Sequence, residues 1–360
     1  MTQNPTPARL VPPGRILRNE LEARGWTQRD LARIMGRPES KISPIMSGKK
    51  AITPETALEL AEALGTSPEL WIRLEANYRL RRAQKKRTKS DISRRSALYN
   101  VLPIWELQKR GWLTKTDNTM QLEREVLKLL QVSDLKQPPQ VVASFRGTPS
   151  KEPDDNARAA WVNRLSLRAE SLEVGSFSRR KLGQCVEKLR ELAAGYGGCA
   201  EASRVLSEYG IGLVLLPHLP KTYIDGAALP QRDPPLIGLS LRYDRIDSFW
   251  FNLFHELAHI RKGHRGIFLD DQDGEARDSQ EKEANHLAAE WLIPEEVWRR
   301  FVDRVRPYFS KKRVTQFAQA VRIHPGIVVG RLQHDNEIRY SSLRAFLQPV
   351  SPLLCGQIEE

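Results

Sequence analysis

The sequence predicts a multidomain, mainly α protein, in which an all-α domain precedes an α+β domain with a small sheet. Three observations predict it. The 360 residues exceed one typical domain, so two or three units are expected. Apolar residues recur at helical spacing through the first 80 or so positions, whereas two strand-like runs stand much later. Charge is also divided unevenly: the first 100 residues hold 20 basic against 10 acidic side chains, and the rest is near balance. The expected units are 1–82, a basic linker and helical connector over 83–177, and 178–350.

Helices in the first unit are read from Ile16-Leu17-Leu21, Leu31-Ala32-Ile34-Met35, Ile42-Ile45-Met46 and Ala57-Leu58-Leu60-Ala61-Leu64. Start signals stand at Thr27, at Thr53-Pro54-Glu55 and at Ser67-Pro68-Glu69, and stops at Gly25, Gly36, Gly48 and Gly65. Four or five short helices follow. From Arg81 to Arg95 eight basic residues face one acid, Asp91, and the apolar period is lost. This stretch reads as a linker or helix extension near a polyanion. Residues 97–175 carry amphipathic pieces such as Met120–Leu130 between polar breaks, and announce no chemistry.

The last unit opens near Ser178 with a helix over Arg179–Tyr196 and a strand over Ile211–Leu216. A turn-rich stretch around Asp225-Gly226 and Asp233-Pro234-Pro235 leads to a second strand, Leu236–Leu241. Two helices, Phe251–Arg261 and Asp278–Leu292, and a helical C-terminal part complete it.

Bulk composition sets the class. With 40% hydrophobic and 28% charged residues the chain is that of a folded soluble protein. No run of about 18 apolar residues is present, and Met1 to Pro13 has no signal-peptide pattern, so a cytoplasmic protein without a membrane partner is expected. Cys185, Cys199 and Cys355 are odd in number and widely spaced, which fits reduced thiols. The net charge of +13 lies mainly in the N-terminal quarter. A nucleic-acid partner and a merely solvated basic face both account for it.

The chemistry concentrates in His255-Glu256-Leu257-Ala258-His259. Residues four apart share a helical face, so His255 and His259 can address one metal ion. Glu256 is placed to act as general base, with zinc (Zn2+) as the cofactor that activates water and polarises a scissile carbonyl. In the following helix the apolar stripe is Ala284, Leu287, Ala288, Trp291 and Leu292. Glu281 falls inside that stripe, whereas Glu283 and Glu290 fall outside it. A carboxylate turned toward a core must be paired or metal-bound, so Glu281 is the expected third ligand and Glu283 the alternative. Asp278 and Glu281 also stand in capping-box spacing, which leaves a capping role for Glu281 open. Asn285, one turn on, shares its face and is placed to steady a ligand. His264 reads as a cation at a helix C-terminus, His286 as solvent-facing, and His324 as a remote candidate for the oxyanion.

These motifs resemble a known family. Leu253 to His259, with Glu281-Lys282-Glu283-Ala284-Asn285 running on to Leu292-Ile293-Pro294, is similar to the ImmA/IrrE family of bacterial metallopeptidases. The likeness spans roughly residues 178–345, including Asp225-Gly226-Ala227 and His324 to Leu332. It implies a zincin-like, gluzincin-type metallopeptidase domain with His255, His259 and Glu281 as ligands and Glu256 as base. Leu287 stands where the family usually has Phe, and Ala258 where it has Gly.

The N-terminal unit resembles the Xre-type helix-turn-helix, and over a longer run HigA-like antitoxins, through Thr27 to Ala32, Ser40 to Ser43, Gly48 to Ala57 and Leu64 to Trp71. The likeness covers most of residues 13–82. It implies operator DNA as partner, with Gln28 at a phosphate and Glu39, Ser40, Lys41 and Ser43 of the second helix on base edges or backbone. Lys49 and Lys50 would add non-specific attraction. Pro44 sits inside that helix and removes a backbone donor, so use of the fold for dimerisation or protein contact stays open. A fainter echo of the same spacing, Val314–Gln333, lacks the basic surplus and reads as scaffold.

The expected function is a DNA-associated regulatory zinc endopeptidase that cleaves a protein partner, by resemblance a transcriptional repressor. The alternative is a non-catalytic, HigA-like antitoxin and repressor whose zinc domain senses or binds a partner such as a cognate toxin. The helix-turn-helix unit leaves a homodimer open.

Overall fold

Helical periodicity in the N-terminal residues resolves into five helices: α1 (Pro13–Arg24), α2 (Gln28–Ile34), α3 (Glu39–Met46), α4 (Pro54–Leu64) and α5 (Pro68–Lys86). The computed structural model describes residues 11–86, 91–141, 145–146, 153–264, 267–270 and 279–358. By contact the chain divides into two units, Met1–Ser93 and Arg94–Glu360.

The boundaries of the N-terminal helices have local causes. Thr27 Oγ1 accepts from the Asp30 amide at 3.2 Å and Asp30 Oδ2 accepts from the Thr27 amide at 2.8 Å, a reciprocal capping box that opens α2. Gly48, at φ 68°, ends α3: its amide donates to Ile45 O at 3.0 Å and the Lys49 amide to Pro44 O at 2.8 Å. Pro44 therefore lies within α3, yet its carbonyl organises the turn that carries Lys49 and Lys50. Leu17, Leu31, Ile42, Ile45, Leu60 and Trp71 form the buried centre of this unit. The basic stretch that follows continues α5 as far as Lys86; Arg87 and Lys89 lie outside the described residues.

Residues between the two expected domains supply α6 (Asp91–Val101), α7 (Ile104–Lys109), α8 (Thr119–Leu130) and α9 (Asp155–Ala169). Leu98, Leu107, Val126, Trp161 and Leu165 are buried in one cluster together with Val214 and Leu236 of the sheet. The helix expected over 179–196 is instead a 3-10 turn, Arg179–Lys181, followed by α10 (Leu182–Leu192), and a separate α11 (Gly198–Glu208) comes next. The chain doubles back so closely between α10 and α11 that a Cβ on Gly198 would stand 1.9 Å from Leu192 O.

Among the described residues five short strands form one sheet in the order β1-β5-β3-β4-β2, with β1 Phe145–Arg146, β2 Gly212–Leu215, β3 Gly226–Leu229, β4 Leu236–Leu239 and β5 Ile267–Asp270. Strand β2 runs parallel to β4, and β3 antiparallel to both β4 and β5. The turn-rich reading around Asp225-Gly226 is thus corrected: Gly226-Ala227-Ala228-Leu229 is the central strand. Its low strand propensity is overridden because neighbours pair both edges and both faces are covered. Alternation places Leu213, Leu215, Ile237 and Leu239 with one core, and Val214, Ala227 and Leu236 with the other. Helix α9 covers the second face, where a Cβ on Gly238 would lie 2.6 Å from Leu165 and 2.9 Å from Trp161.

The first face carries α12 (Ile246–Lys262), which begins five residues before the expected Phe251 start and buries 14 of its 17 residues. Apolar residues on most of its faces, Ile246, Phe249, Trp250, Leu253, Phe254, Leu257 and Ile260, place it in the interior. Around it pack α13 (Ser279–Leu292), α14 (Glu295–Val305), α15 (Lys311–Ala320) and α16 (Pro325–His334). The last two form the segment of the fainter helix-turn-helix echo, and Val314, Phe317, Val328 and Leu332 are buried in the core around α12. Asp278, expected to cap α13, lies outside the described residues. Among the described residues no helix is long and apolar enough to cross a membrane.

Substituting Gly238→Ala is expected to destabilise the second unit by about 1–3 kcal/mol, because the added methyl overpacks the α9–sheet contact. The measurement is denaturant unfolding, and an unchanged midpoint would contradict the described packing.

Candidate metal centre

Helix α12 presents His255 and His259 one turn apart, and α13 brings Glu281 opposite them. The Nε2 atoms of the two histidines are 3.0 Å apart, His255 Nε2 is 3.2 Å from Glu281 Oε2, and His259 Nε2 is 3.7 Å from Glu281 Oε1. All three residues are buried, as is Glu256. Ligands held by bonds of about 2.0–2.1 Å at tetrahedral angles stand about 3.3 Å from one another, so the observed spacings fit one small divalent ion. Two nitrogens and a carboxylate form a donor set suited to zinc and leave a fourth position for water.

The protonation states also suit metal binding. Burial pushes the His259 imidazole down to about 4, keeping it neutral. Burial by itself would raise Glu281, but the hydrogen bonds from His255 and His259 outweigh it and bring the carboxyl to about 2. A neutral imidazole beside an ionised carboxylate is the state in which both can ligate a metal.

Glu256 follows His255 on α12 and lies against the central strand. A Cβ on Gly226 would stand 2.3 Å from Glu256 Oε1, so only a bare glycine lets β3 approach the carboxylate this closely. The Gly226 of the Asp225-Gly226-Ala227 motif is a site residue that the reading of a turn did not reveal.

Other expectations are placed differently. Glu283 does not join His255, His259 and Glu281 but pairs with Lys262 and His264. Asn285 is half-buried on α13, one turn past Glu281. His264 follows the end of α12, as expected, but is buried: it is 7% exposed, and its Nδ1 lies 2.9 Å from Nδ1 of His259. His324 caps α16, accepting from the Gly326 amide at 3.0 Å, and its ring faces Tyr196. His286 is exposed, as expected.

In the N-terminal unit, Glu39, Ser40, Lys41 and Ser43 are exposed on α3, while Ile42 and Ile45 turn into the core. Lys49 and Lys50 are exposed on the turn after α3, and Gln28 is half-exposed at the start of α2. Glu39 faces Arg29 of α2 at 3.4 Å, so its charge is partly met within the protein.

Comparison with known proteins bears on both units. Residues 17–71 match the helix-turn-helix family, and residues 209–332 match the IrrE N-terminal-like domain, a peptidase family. The chain is 36% identical over 73 residues to the uncharacterized HTH-type transcriptional regulator YddM of Escherichia coli, covering 20% of this chain and 78% of that one. It is 31% identical over 91 residues to virulence-associated protein I of Dichelobacter nodosus, covering 25% of this chain and 82% of that one. A solved structure of an addiction module antidote protein of a HigA family from Coxiella burnetii is 31% identical. It covers 23% of this chain and 99% of its own, with a TM-score of 0.20.

Replacing Glu281 by Gln is expected to weaken zinc binding beyond the ~10–100-fold that outer partners of a ligand contribute, and Glu283→Gln by much less. A chelator-competition titration separates the two. Equal losses would remove the distinction between these carboxylates.

Proposed function

We propose that this chain, which belongs to the helix-turn-helix family through residues 17–71 and carries an IrrE N-terminal-like domain over residues 209–332, is a DNA-associated zinc endopeptidase acting on a protein partner. The observation that carries the reading is the convergence of His255, His259 and Glu281 at one buried point, with Glu256 beside them on the same helix.

Zinc held there by His255, His259 and Glu281 would supply a Lewis acid that polarises the scissile carbonyl and makes water easier to deprotonate. The chain's own residues do the rest. His255 and His259 hold their Nε2 atoms on one side and Glu281 supplies the balancing charge. Glu256 takes the proton from the attacking water and returns it to the leaving amine as the peptide C–N bond breaks. Burial keeps competing water away and strengthens each electrostatic contact. The helix-turn-helix unit, with its basic surplus, places the peptidase at an operator or beside a DNA-bound regulator. A transcriptional repressor is therefore the substrate class we assign.

Glu256→Gln is expected to keep zinc and lose about 10²–10⁴-fold in cleavage rate. Partners captured from the native host by wild type and by Glu256→Gln, identified by mass spectrometry, test this. A partner intact with the variant and fragmented with wild type is the expected result. A partner intact with both would overturn catalysis and favour a non-catalytic, antitoxin-like repressor.

Lys49→Ala and Lys50→Ala are each expected to weaken DNA binding about equally across sequences and to lower the salt slope by about 1. Ser40→Ala or Lys41→Ala should change sequence preference if α3 reads base edges. Binding isotherms at several salt concentrations check both.

A further inference from the structure

We infer that His264, Glu283 and Lys262 form a hydrogen-bonded relay behind His259 that fixes which of its ring nitrogens faces the metal position. The inference rests on reading His255, His259 and Glu281 as ligands. It assigns His264 and Glu283 as positioning residues.

The relay is a chain of contacts leading outward from the site. His259 Nδ1 lies 2.9 Å from His264 Nδ1, and His264 Nε2 lies 3.1 Å from Glu283 Oε2. The other Glu283 oxygen pairs with the Lys262 ammonium. The inner pair is buried, whereas Glu283 and Lys262 are 43% and 39% exposed, so the relay runs from the interior to the surface.

Only one arrangement of protons serves a metal. A ligating His259 turns the lone pair of Nε2 toward His255 and Glu281, so its proton sits on Nδ1. That proton can be donated only if His264 Nδ1 accepts, which puts the His264 proton on Nε2. From there it is donated to the Glu283 carboxylate, whose charge Lys262 balances. All the bonds then point the same way, from ligand to carboxylate. With the direction reversed, His259 would carry its proton on Nε2, facing the other two ligands, and could not bind.

Local backbone geometry explains how a residue five positions after His259 reaches it. Gly263 adopts φ 69°, ends α12, and turns the chain back so that the His264 amide donates to His259 O at 3.2 Å. Gln231 Nε2 holds the His264 carbonyl at 3.2 Å. Helix α13 serves both ends: Glu281 enters the site from one face, and Glu283, two residues on, closes the relay from another. An outer carboxylate that orients a ligand histidine is a general device of metal sites. Here a second imidazole is interposed.

The test uses full-length protein with zinc as the probe. His264→Phe, which keeps an aromatic ring and removes both hydrogen bonds, is expected to weaken zinc affinity about 10–100-fold in chelator competition. His264→Gln, whose carboxamide can accept from His259 and donate to Glu283, is expected to recover most of that loss. In ¹⁵N NMR of the zinc-loaded, histidine-labelled wild type, His259 should carry its proton on Nδ1 and His264 on Nε2. Wild-type affinity in His264→Phe, or a His264 proton on Nδ1, overturns the relay while leaving the ligand assignment intact. A wild type that binds no zinc overturns both. If His264→Phe fails to fold, the wild-type tautomers and the His264→Gln variant still decide.

Discussion

Two histidines and two glutamates sit inside the second unit, on facing helices, where water cannot solvate them. An ionised carboxylate buried alone would be too costly to keep, so Glu281 is tolerable there only because it meets His255 and His259. That requirement fixes the packing of α12 against α13. Glu281 must arrive opposite the turn between His255 and His259, and a shift of one residue would rotate it about 100° away. Arg190 helps to hold this register by donating to Trp291 O at 3.0 Å near the end of α13.

The sheet follows from the same constraint. A helix buried on nearly every side needs a wide apolar surface, and β2, β3 and β4 provide it. Their contact positions are unusually small. Gly226 makes room for the Glu256 carboxylate on one face, and Gly238 admits Trp161 and Leu165 of α9 on the other. Gly330 plays the same part on α16, where a Cβ would stand 2.4 Å from Asp247 Oδ2. Close approach of β3 at Glu256 and of α16 at Asp247 fixes α12 on two sides, and a metal site needs the side chains around it held rigidly.

In the N-terminal unit the division of residues is reversed. Helix α3 turns only Ile42 and Ile45 inward and leaves its polar side chains exposed. The capping box at Thr27 and the left-handed Gly48 set where α2 begins and where α3 ends. Pro44, which looked disruptive in the middle of a recognition helix, lies in the last turn of α3, and its carbonyl closes that helix. Its missing amide still leaves α3 one i→i−4 hydrogen bond short.

Local patterns in the chain were enough to identify the pair His255 and His259, Glu256 between them, the capped helices of the first unit and the inward face of Glu281. Each depends on spacing within one helix, and that spacing is a property of the sequence. Tertiary packing decided the rest. Gly226-Ala227-Ala228 has no strand-forming side chains and becomes the central strand only because β4 and β5 pair with it. The segment 179–196 looked like one helix, and the reversal at Gly198 became visible only once α11 packed back on α10. His264 looked like a helix-end cation because its neighbours in sequence are Lys262 and Gly263. Its partners are His259, reached through the left-handed turn at Gly263, and Glu283, reached across the α12–α13 contact. No one-dimensional period records a contact between two helices, and for that reason His264 and Glu283 behind His259 were hidden while His259 itself was not.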